Sequence, residues 1–408
     1  MVDSPPKTLR NLTVEEARER ILLGASRLGV EPARLVDSLG RVLAEPVIAG
    51  RAQPPFDASA MDGWAIRRSD YVPNAPFRIV GESAAGNAYP RPVGAGEAVR
   101  IFTGAPLPAD ADLVIIQEEA VRNGDQIRFD AGQDPRHNIR PAGGDFQPGD
   151  TLLNAGVVID PWRLSLIAAA GRAEVSVARR PRVAVLATGD ELVPPGTTPR
   201  PDQIFESGSF SLAALIEAWG GEAVRLSAQG DDAQAIAAAV APAKVDLIVT
   251  IGGASVGDYD LVKPALHTLG LALSVETIAL RPGKPTWSGR LADGRRVLGL
   301  PGNPASALVC AELFLKPLLV ALAGADPEVR LVPARLAIPL PAGGPREHWM
   351  RASLSTDPEG RTIATPFPDQ DSSLVSVFAR ADALLRRAIG APAAATGDLI
   401  EVLPLRRG

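Results

Sequence analysis

Three short polar loops carry the side chains of this 408-residue chain that could do chemistry. The first is Thr188-Gly189-Asp190-Glu191-Leu192, a glycine turn followed by two carboxylates. That pattern suits a hard cation or proton transfer, and a turn with two solvated acids is the plainer alternative. In the second, residues 252–260, Gly252, Gly253 and Gly257 with Ser255 let backbone N–H groups approach a ligand as a nest for phosphate oxygens. Asp258 and Asp260 could hold Mg²⁺ against those oxygens, and Lys263 adds a cation one turn later. The loop is neither a Walker A sequence nor G-x-G-x-x-G, which counts against nucleoside triphosphate and NAD; a structural glycine turn is the alternative. In the third, Leu300-Pro301-Gly302-Asn303-Pro304, an N-cap asparagine and a proline in the first helical position predict a helix start, where an anion is favoured. Capping alone explains that loop as well. Between the second and third loops stands Arg281-Pro282-Gly283-Lys284-Pro285, two cations on a proline-stiffened turn that suit an anion.

Each polar loop follows a short apolar run (residues 183–187, 247–251 and 297–300) of the kind buried in a parallel sheet. Between the runs, Leu212, Leu215, Ile216 and Trp219 share one helical face, as do Ala233, Ile236, Ala237 and Val240. Strand and helix alternate, so residues 181–326 read as a doubly wound α/β domain whose ligand site lies beyond the carboxyl ends of its strands. Upstream, Thr13 and Glu16 form a capping box before a helical pattern over residues 14–28, and residues 161–170 are helical again. These flank residues 50–148, whose short runs (77–80, 98–102, 113–117, 126–129) between Gly, Pro and Asn predict an inserted β-rich domain. The flanks, residues 8–49 and 149–180, form one mixed helical domain on this reading. From residue 327 to 408, Val332, Ala334, Leu336, Ile338 and Leu340 alternate as a half-buried strand, predicting a small β-barrel or sandwich.

Composition narrows the function classes. A formal net charge of −5 offers no global basic field to nucleic acid or an anionic membrane. A single cysteine, Cys310, excludes an internal disulfide framework and fits a reducing cytoplasm. His137, His267 and His348 lie too far apart for a zinc motif and have no matching nucleophile and acid for a triad. The first ten residues lack the apolar core of a signal peptide. The most apolar stretch, residues 306–325, is broken by Glu312, Lys316 and Pro317 and reads as a core helix, not a membrane span. These features predict a Mg²⁺-dependent site for a phosphorylated or otherwise anionic small molecule.

The series SAMDGWAIR (59–67), FTGAPLPADADLVIIQEE (102–119), ATGDEL (187–192), GGASVGDYD (252–260), RPGKP (281–285) and LPGNPASA (300–307) resembles the MoeA family. These are the molybdopterin molybdenumtransferases, related to the gephyrin E domain. The match is collinear over nearly the whole chain. The resemblance implies a cytoplasmic homodimer of four-domain subunits, with residues 8–49 and 149–180 as the linking and dimerisation domain. It implies that molybdate is inserted into adenylylated molybdopterin with release of AMP, with Mg²⁺ as cofactor. Molybdopterin adenylyltransferase and acceptor molybdoenzymes are implied partners. By matching motif, the catalytic residues are Asp62, Thr103, Asp145, Glu191, Asp231 and Asp260. The glycine nest, Lys263, Arg281, Lys284, Arg351, Ser372 and Ser373 bind substrate; Pro301 and Pro304 shape their loop. Asp190, Glu191, Asp258 and Asp260 are the metal candidates.

The chain departs from the family pattern at five places. Gly144 replaces an acid or hydroxyl, Glu206-Ser207-Gly208 stands for Asp-Ser-Asn, and Ile251 for Ser. Arg281 stands for Lys, and Gln370-Asp371-Ser372-Ser373 replaces a Gly-Ser pair. Asp371 is expected either to pair with Arg346 or Arg351, or to point to solvent and leave Ser372 or Ser373 facing the cleft. Two other functions compete: a family-related scaffold or cofactor-delivery chaperone, and the adenylyltransferase one step earlier. Retained cationic and acidic motif residues weigh against the first, and the N-terminal modules against the second.

Overall fold

The computed structural model describes residues 9–130, 138–252 and 261–405. They fall into two compact units, one of residues up to 31, 40–44 and from 177 onward, the other of residues 32–39 and 45–176.

The first unit centres on a six-stranded sheet in the order Glu222–Arg225, Arg182–Ala187, Leu247–Ile251, Arg296–Leu300, Trp287–Arg290, Ala272–Val275. The first four strands are parallel, and a hairpin adds an antiparallel edge. Successive residues of the central strands enter opposite cores. Val183, Val185, Leu247, Val249, Leu298 and Leu300 face one layer of helices, and Ala184, Leu186, Ile248 and Val297 face the other. This is the doubly wound α/β architecture, and its buried central strands explain their nearly continuous apolar sequence, which Thr250 alone interrupts in Leu247–Ile251.

The capping box forms as read: Thr13 Oγ1 accepts from the Glu16 N–H, and Glu16 accepts from the Thr13 N–H. The helix stops at Leu22, short of residue 28, because Gly24 turns the chain with φ of +63°. Its buried residues Val14, Ala17 and Ile21 share the core of the α/β sheet. The apolar stretch after Asn303 is a helix of 19 residues, Pro304–Leu322, with a π turn over Ala311–Leu315. Pro317 has no N–H for the helical ladder, and the wider turn precedes it. Most of this helix is buried against the sheet, with Leu313, Phe314, Leu318 and Leu319 in the core.

The same unit ends in a barrel. Strand Glu347–Thr356 pairs with both Thr362–Pro366 and Ala383–Arg387, and Val332–Leu336 and Leu399–Pro404 close the ring of five. Ala334, Leu336, Ala352, Ala364, Leu385 and Val402 fill its interior. The first barrel strand ends at Leu336, before Ile338 and Leu340, and Leu340 makes an isolated bridge to Ala394.

The second unit carries a six-stranded mixed sheet in the order Leu113–Ile116, Gly63–Ile66, Glu97–Ile101, Phe77–Ser83, Gln126–Phe129, Ala120–Asn123. Residues on either side of this block pair with one another, Val47–Ile48 running antiparallel to Thr151–Leu153.

Candidate active site

Ala187, Ile251 and Leu300 are in register across three parallel strands, so the loops that follow them open side by side. They enclose a cleft of about 590 Å³ at the carboxyl edge of the sheet. Close approach sets the local sequence. Gly252 has φ of +95°, and a Cβ there would lie 2.5 Å from the Thr188 carbonyl oxygen.

Glu191 and Asp231 line this cleft, with Gly252, Pro301, Pro304 and Ser373. Asp190 does different work: its Oδ1 accepts from the Asp231 N–H at 3.0 Å and ties the two acidic loops together. Desolvation first, then the charges of Asp190 and Glu191, hold the Asp231 carboxyl above its ordinary pKa. Among the described residues, no three His, Cys, Asp or Glu side chains converge as a metal site. Gly253, Ser255, Gly257, Asp258 and Asp260 lie outside the described residues.

Asn303 holds the N-cap position as read, but its side chain makes no capping bond and donates instead to Ser372 Oγ at 2.8 Å. With the Ala305 N–H bonded to the Ser372 carbonyl, this ties the barrel segment to the helix start and brings Ser373 to the cleft. Asp371 takes the second of the two outcomes expected for it. Its exposed carboxylate accepts from the Ser373 N–H and Oγ, which hold its pKa low, and it pairs with neither arginine. Arg351 reaches only its backbone, Nη2 donating to the Asp371 carbonyl at 2.8 Å. The Arg351 side chain is fully buried, and its Nε and Nη1 have no hydrogen-bond partner among the described residues.

The other cations are dispersed. Lys284 is exposed, whereas its neighbour Pro285 lines the cleft. Lys263 lies with its Nζ 5.7 Å from the centre of the Trp287 ring. Arg281 lines a separate pocket at the barrel and not the strand-end cleft.

In the second unit, pairing of Gly63 with Ile101 sets Asp62, just before one strand, beside Thr103, just after the other. Asp62 Oδ1 accepts from the Thr103 N–H and Oγ1, both at 2.8 Å, which holds the Asp62 carboxyl below its ordinary pKa. Ile139–Arg140 pairs with Ala58–Ser59 and so draws the segment of Asp145 toward the same motif; Asp145 itself is exposed.

The comparisons decide the family. Residues 12–171 match the MoeA N-terminal region (domain I and II), 184–321 a probable molybdopterin binding domain, and 333–405 the MoeA C-terminal region (domain IV). The chain belongs to the MoeA family. A molybdopterin molybdenumtransferase of Haemophilus influenzae is 37% identical over 317 residues, 77% of this chain and 78% of that one. One of Staphylococcus aureus is 31% identical over 400 residues, 96% and 95% of the two chains. The crystal structure of a molybdopterin biosynthesis MoeA protein from Pyrococcus horikosii superposes with a TM-score of 0.82 at 30% identity, covering 98% of this chain and 100% of the other.

Several departures from the MoeA pattern have a structural reason. Glu206 is buried, accepts from the Ser209 N–H and Oγ at 2.6 and 2.7 Å, and lies 3.6 Å from Arg225. The longer acid thus caps the helix Gly208–Ala218 at the cleft wall. Gly208 and Ile251 fit one another, the side chain absent from one position leaving room for the larger one at the other. A Cβ at Gly144 would lie 3.1 Å from the Pro141 carbonyl oxygen, which favours the glycine. The sequence motifs did not reveal Ile204 and Phe205, an exposed apolar wall of the cleft. Their only signal is an apolar pair after the proline-rich segment 194–201.

Proposed function

We propose that this chain is a molybdopterin molybdenumtransferase, inserting molybdate into the dithiolene of adenylylated molybdopterin with release of AMP to give molybdenum cofactor. The observation that carries this reading is the convergence of Glu191, Asp231 and the amino ends of two helices on one cleft beyond the strand ends. Helix amino ends favour phosphate and oxyanion groups, and the exposed faces of Ile204 and Phe205 suit a planar heterocycle.

Burial first, then the charges of Asp190 and Glu191, raise the Asp231 pKa, and a cation would relieve the repulsion among the three carboxylates. Glu191 and Asp231 fit Mg²⁺ on that ground, with Asp258 and Asp260 of the neighbouring loop as further ligands. Asp190 already serves the Asp231 N–H. Bound Mg²⁺ would supply Lewis-acid polarisation of the phosphoanhydride. The chain's own residues bind and orient. Lys263 and Lys284 add positive charge for phosphate, and Gly252, Gly253 and Gly257 are the residues proposed to offer it backbone N–H groups. The two unpartnered groups of Arg351 supply buried positive potential behind Ser372 and Ser373, where molybdate would sit. Pro301 and Pro304 fix the loop that presents the helix end.

The protein acts as a C₂ homodimer in which Asp62, Thr103 and Asp145 of one subunit complete the cleft of its partner. The lowered pKa of Asp62 supports a permanently ionised role for that motif. Light scattering on the active protein at micromolar concentration should give twice the chain mass; the mass of one chain would contradict the dimer. A cytoplasmic location, with an adenylyltransferase supplying substrate and a molybdoenzyme receiving product, completes the reading. The test is direct: purified protein with adenylylated molybdopterin, molybdate and Mg²⁺ should release AMP and form active cofactor, and omission of molybdate should lower the yield of both.

A further inference from the structure

Arg281, His348 and Arg387 form one row across three paired strands. Arg281 lies opposite His348 in the parallel bridge Leu280–Arg281 to Glu347–His348, and His348 lies opposite Arg387 in the barrel. The row sits at the open end of the C-terminal barrel, where these three residues, Arg346 and Met350 surround a pocket of about 230 Å³. Met350 packs against the barrel interior, so the pocket has an apolar floor and a basic rim. This is a different place from the strand-end cleft. Arg351, next but one after Trp349, lies on the other side of the strand, where Trp349 packs against the α/β core.

The charge balance of the rim is one-sided. No acidic side chain among the described residues lines the pocket. Arg281 and Arg346 have no ion-pair partner among the described residues. Arg387 donates Nη2 to the carbonyl oxygens of Pro341 and Pro392, which aim the guanidinium without neutralising it. The adjacent Arg386 shows the contrast: it faces away and pairs with both Glu347 and Glu401. Burial first, then Arg281, Arg351 and Arg346, push the His348 imidazole down to about 4, so it is neutral at pH 7. Its Nε2 is buried and has no hydrogen-bond partner among the described residues. Three guanidinium groups gathered round a cavity without a counter-charge repel one another, and an anionic ligand removes that cost. Two or more guanidinium forks around a small volume match the geometry of a tetrahedral oxyanion.

We propose that the mouth of the barrel is a second oxyanion site, taking a tetrahedral dianion held by Arg346, Arg387 and Arg281 beside His348. The ligand is either free molybdate or the phosphate of a monoester such as AMP. The site is additional to the metal-insertion cleft, and binding there requires no turnover.

His348 is a built-in reporter, being one of three histidines in the chain. Its imidazole signal in the NMR spectrum of the full-length protein, assigned with His348→Gln, is followed on adding molybdate or AMP at constant ionic strength. Saturable movement with either probe is the expected result, and which probe moves it identifies free oxyanion or esterified phosphate as the ligand. Arg346→Glu, at an exposed residue whose replacement leaves the fold intact, should raise the apparent Kd about tenfold or more, the loss of one charged hydrogen bond. Arg346→Lys should retain most of the affinity. A signal unmoved by both probes at millimolar concentration would overturn the proposal. So would equal movement with chloride, or an affinity unchanged in Arg346→Glu. Failure of metal insertion itself would appear in AMP release and not in this titration.

Discussion

A Cβ placed on Gly208 would lie 3.0 Å from Ile251 Cδ1 and 3.3 Å from its Cγ2. Gly208 opens a helix at the cleft, and Ile251 ends the central strand at the same cleft. The two departures from the family pattern therefore act as one packing unit. A helical Gly→Ala change ordinarily gains up to about 1 kcal/mol, but here the new methyl meets a buried side chain. Ile251→Val removes the Cδ1 that it meets. The two substitutions should be non-additive in urea unfolding, with a favourable coupling of about 0.5–1 kcal/mol. Strict additivity would show that the contact relaxes without cost.

Gly283 pins the loop that presents Lys284. Its φ is +121°, and a Cβ there would lie 2.4 Å from Cys310 Sγ. Burial pushes the Cys310 thiol up to about 12, so sulfur there acts as packing and not as a nucleophile. Gly283→Ala should destabilise the protein by about 1–3 kcal/mol, and adding Cys310→Ala should recover part of that loss. Equal stability of Gly283→Ala and the parent in urea would refute this close packing.

Asp231 gives a pH signature. Its native pKa is raised, so between the unfolded and native values the native state binds more protons and stability falls as pH rises. Asp231→Asn should therefore have a higher Tm than the parent at pH 7 and lower activity. The Tm difference should shrink as pH drops into the range where the native carboxyl protonates. Calorimetric scans from pH 4 to 7 check the sign, and a variant less stable than the parent at pH 7 would reverse it.

Asp371 organises Ser373 through two hydrogen bonds to one carboxylate oxygen. Asp371→Ala should raise the KM for molybdate by freeing Ser373, whereas Asp371→Asn, which can still accept, should change it little. Repulsion of the oxyanion by Asp371 would instead lower KM in both variants, and steady-state kinetics at varied molybdate distinguishes the two.

Much of this architecture was legible in the chain because burial writes itself into composition. The strands ending at Ala187, Ile251 and Leu300 are apolar on both faces, and the loops after them do open onto one cleft. The antiparallel strands Ala272–Val275 and Trp287–Arg290 were not legible. Their short mixed sequences acquire a sheet only from their neighbours, as where Gly299 leaves room for the Trp287 ring across the pair. The fate of Arg281 was equally hidden. It depends on a two-residue parallel bridge to Glu347–His348, a pairing between distant segments that no local pattern records. Asn303 was legible as a cap by type, but its hydrogen bond goes to Ser372, far along the chain.

The central claim is that the acid-lined cleft performs metal insertion, and Glu191→Gln tests it most directly. Glu191 sits in the cleft beside Asp231, and the amide keeps the shape while removing one charge. The measurement is AMP released in a single turnover with molybdate and Mg²⁺ present, alongside calorimetric affinity for adenylylated molybdopterin. Glu191→Gln should bind the adenylylated pterin within about 1 kcal/mol of the parent yet lose most AMP release. AMP release at the parental rate in that variant would contradict it.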